Sequence, residues 1–307
     1  MPSSMQHKPT NAPKGVVLVV AAVTAFAAAD VIGKHLAMLY AVPLIAAARY
    51  LVNLGLLTAF LLPRHGPRLW QTRRTGLVLL RGLCLALGSL TMLLALRVMP
   101  VGETVAIIYL APFAVMLLAG RFLGEDVPLA GWIGAVAGFA GVLLIVRPGS
   151  GLDPTGVTLA VLNAGFATAY TLLTRVLSRT ETTEALVFHT ALVGAVLFAI
   201  LSFCYLDTPF PSGFDLVLTI VLGGLATLGH VVFTLAYREA PASLLAPVNY
   251  LHVVIAAVLG AVVFRHVPDA LAMAGMALVV LSGMAVALRA RGQSAAARPT
   301  DVDIDRP

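Results

Sequence analysis

Ten separate apolar runs, each about as long as a lipid bilayer is thick, decide what this chain can fold into. They cover residues 15–39, 43–62, 76–96, 103–123, 129–146, 155–177, 185–206, 216–236, 243–264 and 270–288, and leave little of the 307 residues over. At about 1.5 Å of rise per residue, roughly 20 residues cross a hydrocarbon layer ~30 Å thick. Within that layer no water satisfies the backbone, so each run must bond to itself as a helix. The expected fold is an all-α integral membrane protein of ten transmembrane helices. Composition agrees: 60% of residues are hydrophobic, only 11% are charged and the mean hydropathy is +0.96, against about a quarter charged in soluble domains. No separate catalytic domain fits in what remains.

The net charge of +6 and pI near 9.7 would suit nucleic acid only if Lys and Arg formed a stripe interleaved with aromatics, and no such stripe exists outside the apolar runs. The basic residues mark topology instead. With the N-terminus inside, fourteen of the twenty fall in inner stretches, Lys34, Arg97, Arg147 and Arg265 in outer ones, and Arg49 and Arg81 within helices. This bias predicts that both termini are cytoplasmic in a bacterial inner membrane. Residues 1–14 then form a cytoplasmic N-terminal segment. Residues 290–307, with Asp301, Asp303 and Asp305 among Ala, Pro and Ser, read as a disordered cytoplasmic tail. The first run ends in Ala-Phe-Ala-Ala-Ala-Asp, superficially like a cleavable signal, but apolar character continues past Asp30 to Leu39, as a first span requires. Cys84 and Cys204 lie in apolar runs with no metal-ligand spacing, so neither a disulfide framework nor a metal site is expected.

The two halves of the chain match at an offset of 141 around their fourth spans. Ala95, Arg97, Pro100, Tyr109 and Leu110 meet Ala236, Arg238, Pro241, Tyr250 and Leu251. A unit with an odd number of spans, duplicated in tandem, must sit upside down the second time. Residues 15–148 and 155–289 are therefore expected to be two inverted five-helix repeats, an arrangement typical of alternating-access carriers.

Several stretches together carry a resemblance. Ala95-Leu-Arg-Val-Met-Pro-Val-Gly-Glu-Thr, Tyr109-Leu-Ala-Pro112, Leu123-Gly-Glu125, Gly131-Trp-Ile-Gly134 and Gly141-Val-Leu-Leu-Ile-Val-Arg-Pro148 look like the EamA family of the drug/metabolite transporter superfamily. The resemblance implies a central cavity lined mainly by helices one, three, four, six, eight and nine, and small polar metabolites as substrates. Where the first repeat has Gly124-Glu125 the second has Arg265-His266, a departure from the pattern. The stretch Ala-Asp30-Val-Ile-Gly-Lys34 is similar to members that import S-adenosylmethionine or riboflavin, whereas other members export amino acids or amino-acid-derived metallophores.

Charge near a bilayer centre costs roughly 2.5–3.5 kcal/mol, so each intramembrane ionisable group needs a partner or a purpose. Asp30 and Lys34 are one turn apart on one face of helix one. They could neutralise each other with Lys34 snorkelling outward, or Asp30 could face the cavity as a proton or cation site. Arg81, in helix three, suits either snorkelling or capture of a substrate carboxylate; Arg49 reads as snorkelling, and Glu103 as a cap on helix four. Asn249 and His252 share a face of helix nine, Tyr109 and Tyr250 occupy matching places in the repeats, and Asn163 and Tyr170 lie two turns apart on helix six. Asn163 reads equally as helix-to-helix glue. With His230 of helix eight these residues complete the expected polar lining of a substrate cavity, and Pro112 and Pro247 are expected to kink helices four and nine for gating.

The function expected is secondary transport of a small polar metabolite by alternating access. Export of an amino-acid-like or metallophore-type compound is slightly preferred, and import of a cofactor-like metabolite is the alternative. A membrane-embedded enzyme or a passive channel is more distant: there is no His-Glu-x-x-His helix, no Gly-x-Ser-x-Gly elbow and no P-loop. No cofactor, metal or catalytic residue is expected. The expected partners are the substrate and the bilayer, with a homodimer left open.

Overall fold

The computed structural model describes residues 11–123, 129–147, 150–240 and 242–296. Among the described residues twelve α-helices make ten spans: α1 (Ala12–Leu39), α2 (Val42–His65), α3 (Thr75–Val98), α4 (Val101–Ile108) with α5 (Ala111–Leu123), α6 (Leu129–Val146), α7 (Pro154–Leu177), α8 (Thr183–Ser202), α9 (Gly213–Glu239), α10 (Ala242–Asn249) with α11 (Leu251–Phe264), and α12 (Ala270–Ala296). No strand occurs among the described residues. The protein is an all-helical, multi-pass membrane protein. Its spans agree with the apolar runs to within a few residues, except that α12 continues to Ala296, into the stretch read as tail. The rest of the tail, residues 1–10, and Gly124-Glu125 lie outside the described residues.

Caps fix where helices start. The Asn11 carboxamide accepts from the Lys14 N–H, the Asp153 carboxylate accepts from Thr155 and Gly156, the Thr182 hydroxyl accepts from Ala185, and the Asp269 carboxylate accepts from Ala272. Each satisfies an amide that has no partner within its own helix. Ten spans bring the start of α1 and the end of α12 to one face of the membrane, called here the terminal face; the other is the far face.

The halves are interleaved. The first helix of each packs on the third of the other, α1 on α9 and α3 on α7, while α2 packs on α8 and α6 on α12. Without a hydrophobic drive between helices in lipid, close approach of small residues matters most. A Cβ at Gly141 would lie 2.7 Å from the Gly275 carbonyl oxygen, and one at Gly275 would lie 2.5 Å from that of Gly141, so this α6–α12 seam tolerates only glycine. Large apolar side chains such as Phe60, Ile133, Val136 and Val262 point outward, where lipid lies. The broadest buried cluster joins α1, α3 and α4 to α6, α7, α11 and α12, and includes Leu96, Met99, Ile107, Ile145, Val253 and Val279.

Candidate functional site

The fourth and ninth spans are broken near their middles, at matching places. Pro112 has no N–H to give Ile108, so α4 ends there; the chain turns through Tyr109 and Leu110, whose N–H donates to Ile107 at 3.0 Å, before α5 begins. In the ninth span the break falls at Tyr250, three residues after Pro247 instead of three before. The N–H of Val253, which a continuous helix would give to the Asn249 carbonyl, donates to Tyr250 at 3.1 Å. That carbonyl accepts the Tyr109 hydroxyl instead, at 2.7 Å, across the two halves. The Tyr109 and Tyr250 rings are 5.1 Å apart, and a Cβ at Gly283 would overlap the Tyr250 ring, so α12 seats that ring against a bare backbone.

Beside the break, His252 Nε2 lies 3.0 Å from an Asp30 carboxylate oxygen. Ten residues into a span of ~30 Å, at about 1.5 Å each, His252 stands near mid-membrane. Its ring is 5.9 Å from Tyr109 and 6.2 Å from Phe26, which in turn stacks on His230 at 5.0 Å. The Asn249 amide donates to the Tyr237 hydroxyl at 3.1 Å, while its carbonyl Oδ1 is buried with no partner. Asp30, Tyr109, Asn249, Tyr250, His252 and His230 are thus brought together by α1, α4, α9, α10 and α11. Phe26, Phe233 and Tyr237 join them unforeseen; Phe26 stands one turn before Asp30, and that spacing was the available signal.

Arg81, Tyr170 and Asn163 lie elsewhere. Arg81 is 4% exposed between α3, α7 and α8. It donates to the hydroxyls of Thr174, Thr190 and Tyr170, each at 2.7 Å, and to the Leu186 carbonyl at 3.0 Å, with its guanidinium 4.3 Å from the Tyr170 ring centre. Asn163 gives its amide to the Gly88 carbonyl at 2.6 Å, tying α7 to α3 as helix-to-helix glue.

Of the two readings left open for Asp30 and Lys34, the ion pair is not formed: a turn of helix sets them adjacent, but each finds its partner across the bundle. Lys34 does not snorkel either. It is 8% exposed and donates to the Leu96 and Met99 carbonyls, at 2.6 and 2.8 Å, which the end of α3 leaves unpaired. Nearby, buried Glu103 sits in the first turn of α4 and, instead of capping a backbone N–H, pairs with His266 at 3.0 Å. These groups wall a cavity of about 220 Å³ near the far face, lined also by Gly102, Ala261 and Phe264.

Here the two repeats differ in conformation. At the far face α1 packs on α3 and α4 packs on α11. A Cβ at Gly102 would lie 2.7 Å from that of Ala257, so these helices touch backbone to backbone. The inverted counterparts of these pairs, α7 with α9 and α5 with α10, make no comparable packing among the described residues. Among the described residues, then, the helices close on one another at the far face, and the matching contacts at the terminal face are not made.

Comparison with known proteins follows the same lines. The model of the EamA-like transporter family matches twice, at residues 13–147 and 154–288. A riboflavin transporter of Rhizobium johnstonii is 28% identical over 92% of this chain and 93% of its own. An S-adenosylmethionine uptake transporter of Rickettsia felis is 27% identical over 70% and 73%, and a pseudopaline exporter of Pseudomonas aeruginosa 29% over 78% and 84%. A solved crystal structure, 20% identical, covers 93% of this chain and 99% of its own with a TM-score of 0.65, which shows the same fold. With both halves matched and full-length similarity to transporters, the chain belongs to the EamA-like transporter family.

Proposed function

We propose that this protein is a secondary transporter that carries a small polar metabolite across the bacterial inner membrane by alternating access, with both termini cytoplasmic. One observation carries the reading: two broken spans meet near mid-membrane, and Tyr109 bonds the carbonyl freed by the break at Asn249. Broken helices lend unpaired backbone groups to a ligand at the depth where hydrocarbon otherwise forbids them. The neighbouring Asn249 Oδ1 is an open acceptor, and the Asp30–His252 pair is a place for a proton or a cationic group of the cargo. Opening toward the far face requires α4 to leave α11 and Glu103 to leave His266. Closing the terminal face brings α5 to α10.

Two cargo readings follow from the relatives. Similarity to a pseudopaline exporter supports export of an amino-acid-like or amino-acid-derived compound. Similarity to a riboflavin transporter and an S-adenosylmethionine uptake transporter supports, equally, uptake of a cofactor-like metabolite. The test is a counterflow screen in proteoliposomes loaded with unlabelled candidates from both classes and supplied with the labelled compound outside. Saturable uptake that depends on the internal load supports the reading. Uptake that never saturates makes the protein a passive pore, and chemical conversion of a candidate by the purified protein makes it an enzyme.

A further inference from the structure

The central polar region holds more positive than negative charge. Asp30 is its acid and is committed to His252. Arg81, buried by the packing of α3, α7 and α8, spends four of its five N–H donors on three hydroxyls and one carbonyl, and no carboxylate lies within ion-pair distance among the described residues. Arg49, half-buried about two turns into α2, makes no hydrogen bond among the described residues; its guanidinium rests 5.8 Å from the centre of the Tyr50 ring. The two cations flank one region. Tyr50, next to Arg49, shares a hydrogen bond with Ser89 of α3 at 2.9 Å and packs on Gly194 of α8, one turn from the Thr190 hydroxyl that accepts from Arg81.

Structural arginines inside a membrane are held by carboxylates or reach the headgroups, because an uncompensated guanidinium in a low dielectric is unfavourable. Arg81 does neither. Its remaining donor and the five free donors of Arg49 belong to two planar, permanently charged groups of the kind that recognise carboxylate or phosphate. We infer that the cargo carries at least one negative group, a carboxylate or a phosphate, and that Arg81 and Arg49 receive it while the Asp30–His252 pair and Asn249 take its other end. This deepens the transporter reading and rests on it. It also gives the repeat asymmetry a chemical use, since Arg81 stands toward the terminal face, where the described residues of α7 and α9 and of α5 and α10 make no matching contact.

The test uses the full chain in proteoliposomes and pairs of labelled probes that differ in the anion: histidine with histamine, S-adenosylmethionine with its decarboxylated form, and flavin mononucleotide with riboflavin. Expected is saturable counterflow of at least one anionic member without its partner. Arg81→Gln then raises the half-saturating concentration about ten- to a hundredfold, the cost of lost charge-assisted bonds, Arg81→Lys recovers part of it, and Arg49→Gln raises it as well. Transport of histamine, decarboxylated S-adenosylmethionine or riboflavin as readily as its partner overturns the anion proposal and leaves the transporter standing. So does an anionic probe whose half-saturation stays within twofold in both glutamine variants while their melting temperatures match the wild type. If no compound of any charge shows counterflow, the transporter reading itself falls, and this inference with it.

Discussion

Replacing Tyr109 by Phe removes one oxygen and nothing else from the contact that joins the two broken spans. The ring still meets Tyr250 at about the same 5.1 Å, but the 2.7 Å bond to the Asn249 carbonyl is lost. That carbonyl has no helical donor, because the N–H of Val253 is turned to Tyr250. An orphaned buried acceptor costs about 1–3 kcal/mol. Because the bond crosses from one half to the other, its loss falls on the far-sealed conformation, and the lower part of that range, about 1.4 kcal/mol, is a tenfold change in the ratio of sealed to open molecules. Access can be read at Ala261, one turn toward the far face from Ala257 of the α4–α11 contact and in the wall of the far-face cavity. In a background with exposed Cys204 changed to Ser and buried Cys84 retained, Ala261→Cys should react with a membrane-impermeant maleimide from the far face about ten times faster when Tyr109 is Phe. Labelling within twofold of the parent, with an unchanged melting temperature, would show that the bond does not hold the seal and would refute the reasoning.

Further perturbations probe other parts of the same scheme. Asp30→Asn keeps the shape beside His252 but removes the charge, so counterflow should fall about tenfold and cease to respond to an imposed proton gradient; full rate with the wild-type response would remove Asp30 from coupling. Glu103→Gln breaks the pair with half-exposed His266 and leaves Lys34 without its acidic neighbour. After allowance for solvent at His266, about 1 kcal/mol or roughly a fivefold rise in maleimide labelling of the Ala261→Cys protein is expected, and no rise would free the seal from this pair. Asp269, outside the spans, is held below the usual carboxylate range first by the Ala272 N–H and then by Arg147. A depressed pKa gives stability that is complete above the unfolded value of about 3.9 and is lost as pH falls through the folded value. Thermal melts of Asp269→Asn should therefore lose less on acidification below about pH 4 than the wild type does, and parallel curves would count against the cap.

The ten spans were legible because hydrocarbon thickness imposes one length on all of them, whatever their neighbours. The repeat was legible because Tyr109 and Tyr250 keep their spacing to Arg and Pro in both halves. What the chain does not write locally is which polar group finds which. One helical turn set Asp30 beside Lys34, yet their partners stand 222 residues away for Asp30 and 62 and 65 away for Lys34. His266 registered only as a departure from a family pattern, although it closes on Glu103 from the other repeat. The prolines flagged the right spans, but the break lies before Pro112 and after Pro247, since a missing N–H disturbs the helix on one side and tertiary contacts choose where it yields.

Inverted repeats also carry the opposite end state in outline. At the offset of 141, Lys34 corresponds to Arg175, and Leu96 and Met99 correspond to Tyr237 and Ala240. Lys34 ties α1 to the end of α3 at the far face, where these two helices pack. If the repeats exchange conformations, Arg175 of α7 should tie to the end of α9 when the terminal face closes. Lys34→Gln and Arg175→Gln, each placed in the Ala261→Cys background, should both slow counterflow while moving the maleimide labelling in opposite directions. It should be faster for the first, because the far seal loosens, and slower for the second, because the terminal seal is the one weakened. Movement in the same direction would mean that the two cations serve the fold and not the exchange, and that the likeness of the halves stops at their backbones.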